Sequence, residues 1–564
     1  MKKVKCSHYL IEQGDRYISP SSTRAFIRKV VQRTLHRSPR ILINIATGRL
    51  HDRTEQASAF EALPIFKELV SSTTTRIDYV RIKREVRQYF RYVMLSHKWE
   101  DNEPLFQQVV HMAVYDLETS PTHDKLQTFC KIVRDAGFDW AWSDTCCIDK
   151  SDNFVLQEAL VAMFRWYQGS AMAIVFLRGV RSASPCGALA ASIWNTRAWT
   201  LQEYIAAKVI RFYTEDWTLY RDLDLPNHKE SPEIISEMEQ ATGISAQQLM
   251  GLSPGLSSIR EKLCLASTRR TTWVEDAAYS LLGIFSAIGI PAIYGEGEAS
   301  LGRLLANVLT RSGDSSTLAW TGESSRFNSC LPARIAVFNA PATSHLPLLP
   351  DSEMQNIITG LCAPSFDLDA ALRLYDRLNE LPTPRFAESR MTLPCIAFQL
   401  PPLSASRIGS TRVYHADTIA FGRVEIRSRH NLSHMNSLYL VHPWLDTLLQ
   451  HGNMHSGAFV GNDEEIFDEN TDDEESDDDS SSLSEPESPS FPAPIQIIPV
   501  DRETGARRLV ACLRQPFGAV LLAPTGRRAS DYRRVAADST ITVRFQDSVS
   551  LANILDNVRI LDVL

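Results

Sequence analysis

No run of the chain reaches the roughly 18 consecutive apolar residues that a membrane-crossing helix needs. The opening residues, MKKVKCSHYLIEQGDRYISP, also lack the apolar stretch of a signal peptide. No membrane partner is therefore expected. The ten cysteines are scattered, only Cys146 and Cys147 are neighbours, and no C-x-x-C pair occurs. That usage excludes a zinc-ribbon spacing and a secreted disulfide framework, and it fits a reducing, cytoplasmic setting. A Walker A lysine loop, an H-E-x-x-H helix and an EF-hand loop are all missing, so neither a metal nor a resident cofactor is expected. Nucleic acid is disfavoured as a partner, because no RNP-like or zinc-finger motif accompanies the basic N-terminus.

What is present is an ordinary globular composition, with 564 residues, 44% hydrophobic and 22% charged, enough for several domains. Charge is unevenly spread. Between Asp463 and Glu487 stand 14 acidic residues and no basic ones, and removing them from the net charge of −8 leaves +6 for the rest. The first 40 residues run the other way, with Lys2, Lys3, Lys5, Arg24, Arg28, Lys29, Arg33, Arg37 and Arg40. We read residues 1–84 as a basic adaptor region with a helix around Ser22–Leu35 and a strand in RILINIATGR. Residues 85–225 read as an α/β core, 226–330 as its helical extension, and 331–460 and 495–564 as two parts of a β-rich domain. These parts are separated by a disordered acidic insertion at 461–494.

In the core, FRYVMLSH (90–97), FDWAWSD (138–144), AMAIVFL (171–177) and KVIRFYT (208–214) are strand candidates. KLQTFCKIVRDAG (125–137) and NFVLQEALVAMFRWYQGS (153–170) carry apolar stripes at helical spacing, stopped by Gly137 and Gly169. Near-continuous apolar strands alternating with helices predict a mostly parallel sheet covered on both faces. Such sheets place their chemistry at the carboxyl ends of the strands. Here those ends are Ser96–Trp99, Asp144–Asp149 and the segment after Leu177 that leads into Glu203.

Several motif matches carry less. GLSPG (251–255) has the form of a nucleophile elbow, but Pro254 lacks the backbone N–H an oxyanion hole needs, so a turn is expected. YGEGEASLG (294–302) resembles a phosphate loop, yet Glu296 and Glu298 would repel phosphate, and a helix cap is the better reading. His97 is expected as a hydrogen-bonded surface residue, and Asp144 and Asp149 as helix caps before metal ligands.

YVMLSHKWED (92–101), WSDTCCIDK (142–150) and RAWTLQE (197–203) then occur in order, followed by EDAAYSLLGIF and YGEGE. Together they resemble the fungal heterokaryon incompatibility (HET) domain over roughly residues 85–310. His97 stands where that family usually has an aromatic residue, Lys98-Trp99-Glu100 lacks its usual glycine, and Lys150 replaces a frequent glutamine. More distantly, MLSHKWED and SIWNTRAWTLQEY are similar to the opening strand and glutamate motif of Toll/interleukin-1 receptor (TIR) domains. Trp199 and Glu203 fall on the tryptophan and the NAD-cleaving glutamate of that motif. The resemblance implies a TIR-like, flavodoxin-like fold and a role in non-self recognition and programmed cell death. It implies self-association and an incompatibility partner protein, and NAD as a substrate rather than a cofactor.

Cleaving a ribosyl–nicotinamide bond builds positive charge on the ribose, while the pyridinium departs as a neutral base and needs no general acid. One ionised carboxylate, Glu203, would supply the stabilisation. Ser96 and Asp144 would line the floor, Trp99 or Trp199 would stack on a ring, and Arg197 would meet the pyrophosphate. The same residues admit a structural reading. Glu203 in a first helical turn is stabilised by the helix dipole, Arg197 pairs with Glu203 or Asp144, and Trp199 is core. A non-enzymatic, oligomerising adaptor is the corresponding alternative function.

Overall fold

The computed structural model describes residues 18–72, 77–287, 289–339, 351–387, 389–408, 411–435, 437–444, 501–526 and 531–564. The expected acidic insertion at 461–494, and Lys2, Lys3 and Lys5, lie outside the described residues.

A six-stranded sheet organises the N-terminal half. Its strands are β1 (Ile41–Asn44), β2 (Leu50–Asp52), β3 (Tyr92–His97), β4 (Trp140–Trp142), β5 (Met172–Leu177) and β6 (Ile210–Thr214), in the order β2-β1-β4-β3-β5-β6. β4, β3, β5 and β6 run parallel, whereas β1 is antiparallel to both its neighbours. The parallel core is as expected. The two edge strands extend it with residues from before position 85, through pairs such as Ile43 with Ala141.

The elements follow from local chemistry. Every side chain of β3 and of β5 is buried, as a strand covered on both faces requires. The helix Pro121–Asp135 starts on a Ser120 cap with proline in its first turn, and the chain leaves it through Gly137 at φ +80°. The helix Asn153–Gly169 starts on Asp152, which accepts from the amides of Phe154 and Val155 at 2.8 and 3.3 Å. The basic N-terminal helix spans Pro20–His36 and buries Ile27, Val30, Val31 and Leu35 in the same core as the sheet.

Counted along the chain, the four parallel strands have the order 2-1-3-4. The connection from β3 runs to one side and the next returns to the other. In doubly wound sheets a crevice opens at such a reversal, beyond the carboxyl end of the first strand, and that end here is Ser96–His97.

The helical extension follows with Pro232–Thr242, Ala246–Met250, Ile259–Ser267, Asp276–Tyr279 and Ala299–Ser312. It packs hard on the sheet's helical cover: a Cβ added to Gly283 would meet Phe164 Cβ at 2.1 Å. The C-terminal half holds β7 (Arg385–Ala387), β8 (Arg390–Gln399), β9 (Ser404–Ile408), β10 (Thr411–Thr418), β11 (Gly422–Ser428), β12 (Tyr439–Pro443), β13 (Phe517–Pro524), β14 (Asp531–Arg534), β15 (Ile541–Val543) and β16 (Val558–Val563). β-rich texture was expected there. The helices Asp351–Cys362, Leu368–Asn379 and Arg502–Leu513 are an addition to that reading. No helix among the described residues is long and apolar enough to cross a membrane.

Because Phe164 lies in a packed helix, Gly283→Ala should destabilise the N-terminal half by about 1–3 kcal/mol. A clear drop in thermal midpoint, read by circular dichroism, is expected. An unchanged midpoint would show that the extension is looser than the contact implies.

Candidate active site

Glu203 is the fifth residue of the helix Trp199–Ala206, which connects β5 to β6 and packs against β3 and the helix Asn153–Gly169. It therefore lies beyond the first turn, and the expected dipole stabilisation does not set its state. Its side chain turns to the end of β3, where the Ser96 hydroxyl donates to Oε2. Ser96 Oγ in turn accepts from the Trp194 indole N–H at 2.8 Å. The Tyr167 hydroxyl, which donates to the Leu95 carbonyl at 3.1 Å, also bears on the Glu203 carboxyl and favours its charged form. Ser96 is 1% exposed and Glu203 8%, so the pair forms a buried floor.

Burial dominates the acid's chemistry. It pushes the Glu203 carboxyl from its usual 4.5 up to about 8. The hydrogen bond from Ser96 and the charge of Arg197 pull the other way, and the nearby Asp144 adds to the rise. At neutral pH the unliganded carboxyl is therefore mostly protonated, which differs from the ionised group expected.

The rim is wetter. Asp144, just past β4, is partly exposed and accepts from the Trp99 indole N–H at 2.7 Å, and burial holds its carboxyl above the usual range. The Lys150 ammonium stands 3.5 Å over the Trp99 ring. One face of that indole is thus taken, and only the other is left for a ligand. Arg197 and Trp199 are half-buried. No hydrogen bond or ion pair of the Arg197 guanidinium is found among the described residues, so the expected pairing with Glu203 or Asp144 is not formed. Its charge nonetheless acts on Asp144, Glu203 and Asp276. The structure thus gathers Ser96, Trp99, Asp144, Arg197, Trp199 and Glu203 around one rim.

Further residues join them. Asp276 is buried, accepts from the Tyr294 hydroxyl at 2.9 Å, and has its charged form favoured by the Trp199 indole. Asp276 and Tyr294 lie in the EDAAYSLLGIF and YGEGE blocks. Those blocks were visible in the sequence, but nothing there assigned them to this rim. Tyr167 belongs to the apolar stripe of 153–170, and nothing in the sequence singled out Trp194.

His97 corrects its expectation. It is buried, both ring nitrogens lack a hydrogen-bond partner, and Nε2 lies 3.7 Å from Glu103 Oε1. Burial and the charges of Lys125, Arg197 and Lys150 hold the imidazole neutral. Asp149 behaves as a turn cap, accepting from the Ser151 amide at 3.0 Å and from Gln107 at 2.7 Å. GLSPG forms a turn with Gly255 at φ +107°. In YGEGE, the amides of Gly295 and Gly297 both donate to Glu275 Oε1 at 2.8 Å, so the loop cradles the chain's own carboxylate. Among the described residues no group of three or more His, Cys, Asp and Glu side chains is placed to hold a metal. A cleft of about 1440 Å³ lies between the extension and the C-terminal half, and Glu203 does not line it.

A doubly wound sheet with a buried acid at its reversal point defines an α/β class of domain. The family model for the heterokaryon incompatibility protein (HET) matches residues 92–190, which hold β3, β4, β5 and the helices between them. Vegetative incompatibility protein HET-E-1 of Podospora anserina is 36% identical over 228 residues, covering 38% of this chain. The chain spans only 16% of that relative's length. No solved structure matches the chain.

The raised acid has a stability consequence. Unfolded Glu203 ionises near 4.5 and folded Glu203 near 8, so folding binds an extra proton between those values. Stability therefore falls as pH rises through that window, by up to about 1.4 kcal/mol per pH unit. Glu203→Gln removes the ionisation. Its melting midpoint should match wild type near pH 4.5 and exceed it by several degrees at pH 8.5. A variant that melts at or below wild type throughout would contradict the burial.

Proposed function

We propose that this chain acts in non-self recognition of the incompatibility type and promotes cell death by TIR-like hydrolysis of NAD, with Glu203 as the essential carboxyl. The single observation that carries this reading is the placement of Glu203 on the Ser96 hydroxyl, beneath a rim of Trp99, Asp144, Arg197 and Trp199. The 36% identical relative, named as a vegetative incompatibility protein, supports the biological setting.

The chemistry follows from the acid's poise. A neutral carboxyl tolerates burial while the site is empty. A substrate bearing a pyridinium brings positive charge over it, which favours loss of the proton and leaves a carboxylate facing the ribose. As the C1–N bond breaks, its electron pair leaves with neutral nicotinamide. The positive charge spread over C1 and the ring oxygen is then stabilised by Glu203. Water adds at C1 and releases its second proton to solvent. Ser96, held by Trp194, keeps the carboxyl in one orientation, and Arg197 is free to take a pyrophosphate oxygen.

An adaptor reading has its own support. Trp273 and Val274 are 61% and 62% exposed, and the Trp273 ring lies 6.1 Å from that of half-exposed Tyr294, beside Asp276. Such an aromatic patch suits a docking face. In that reading Glu203 is a satisfied internal acid.

Nicotinamide release by the full chain at high concentration separates the two. Wild type should release it, with kcat/KM rising about tenfold per pH unit up to about 8 and then levelling, because that ratio reports the free enzyme's ionisation. Glu203→Gln should abolish release with fold and self-association intact. Absence of release from wild type, with signalling that survives Glu203→Gln, would establish the adaptor.

A further inference from the structure

The cleft between the helical extension and the C-terminal half borders the rim on one side, through Arg269, Val274 and Ala277, and Glu203 does not line it. Its other walls come from the start of the helix Ala299–Ser312, the connector 323–336, and the 430–435 and 533–536 segments. Five arginines and three glutamates line it, and their engagements differ. The Arg534 guanidinium caps the carbonyls of Leu318 and Trp320 at 2.8 and 2.6 Å. Arg269 donates to the Arg197 carbonyl and the Thr200 hydroxyl, each at 2.9 Å. Among the glutamates, Glu296 is neutralised by Arg303, Glu298 accepts from the Arg326 amide at 2.9 Å, and the exposed Glu323 is held through its backbone carbonyl by the Ala333 amide at 3.0 Å.

Arg326, Arg334 and Arg533 are left. All three are exposed, and no hydrogen bond or ion pair of their guanidinium groups is found among the described residues. They come from separate places: Arg326 from a bend of the connector, Arg334 from just before the short helix Ile335–Asn339, and Arg533 from β14. Set against the carboxylates of Glu298 and Glu323, these arginines leave the lining with an excess of positive charge, which favours a ligand of opposite sign. Each planar guanidinium matches two oxygens of a phosphate, so three call for several phosphoryl groups on one molecule. The volume, about 1440 Å³, is ample for a ligand of nucleotide size. We infer that this cleft binds a multiply phosphorylated small molecule through Arg326, Arg334 and Arg533. The inference is independent of NAD hydrolysis, since none of these residues belongs to the Glu203 rim.

Titration calorimetry on the full chain tests it, with inorganic triphosphate, ATP and phosphoinositide-containing vesicles as probes. One site per chain is expected for at least one probe. Arg326→Ala, Arg334→Ala and Arg533→Ala should each weaken it about tenfold. Arg87→Ala, in the remote helix Tyr79–Tyr89, should leave it unchanged. Thermal melts check that each variant folds, which is expected because the three guanidiniums support no internal bond. Equal affinity for triphosphate and ATP assigns the phosphate chain, tighter ATP adds the nucleoside, and vesicles alone assign a lipid headgroup. No binding of any probe up to millimolar concentration at low salt would overturn the inference. So would binding that Arg87→Ala weakens as much as Arg326→Ala.

Discussion

The hydrogen bond from Ser96 to Glu203 ties the helix Trp199–Ala206 to the end of β3, and the site depends on it. Without that contact a carboxyl buried this deeply would lack its closest polar partner, and the helix would have no reason to turn that face inward. The contact also fixes the partners around it. Trp194 must lie where its indole reaches Ser96, and Tyr167 must rise from the helix below. A single acid thus sets the positions of three elements at the reversal point of the sheet.

Holding that acid neutral has two sides. It lowers the cost of burial, since a protonated carboxyl with a hydroxyl donor is far cheaper to exclude from water than a carboxylate. It also makes the group responsive, because positive charge arriving from the rim shifts the balance towards ionisation. Both the catalytic and the adaptor readings share the first property, and only the catalytic one uses the second. The unengaged Arg197 favours the catalytic one, since a purely structural rim would be expected to satisfy its guanidinium internally.

The parts of this architecture that were readable in the sequence are those where many residues vote together. The runs at 90–97 and 171–177 were strand candidates by length and composition, and the 3.6-residue stripe of 153–170 marked a covering helix. The structure has strands at Tyr92–His97 and Met172–Leu177 and a helix at Asn153–Gly169. The three polar blocks at strand ends were likewise visible, and the topology brings them together. What escaped depends on single contacts. The short strand Leu50–Asp52 has no burial pattern of its own, and its place at the sheet edge comes from pairing with β1. The neutral state of His97, the seat of Lys150 on Trp99, and the arrival of Asp276 from more than 70 residues beyond Glu203 are tertiary facts. The C-terminal helices carry local signals of their own, such as the Asp367 cap and the buried Ala371, Leu374 and Leu378 of Leu368–Asn379, which the β-rich texture around them masked.

The most direct measurement is the ionisation of Glu203 itself, followed by infrared difference spectroscopy between wild type and Glu203→Gln across pH. The account predicts a protonated carboxyl band at neutral pH that titrates near 8 and is lost at lower pH once a pyridinium-bearing ligand is added. A carboxylate already fully formed at pH 6 in the free protein would contradict it, because the acid would then be neither buried nor poised as described.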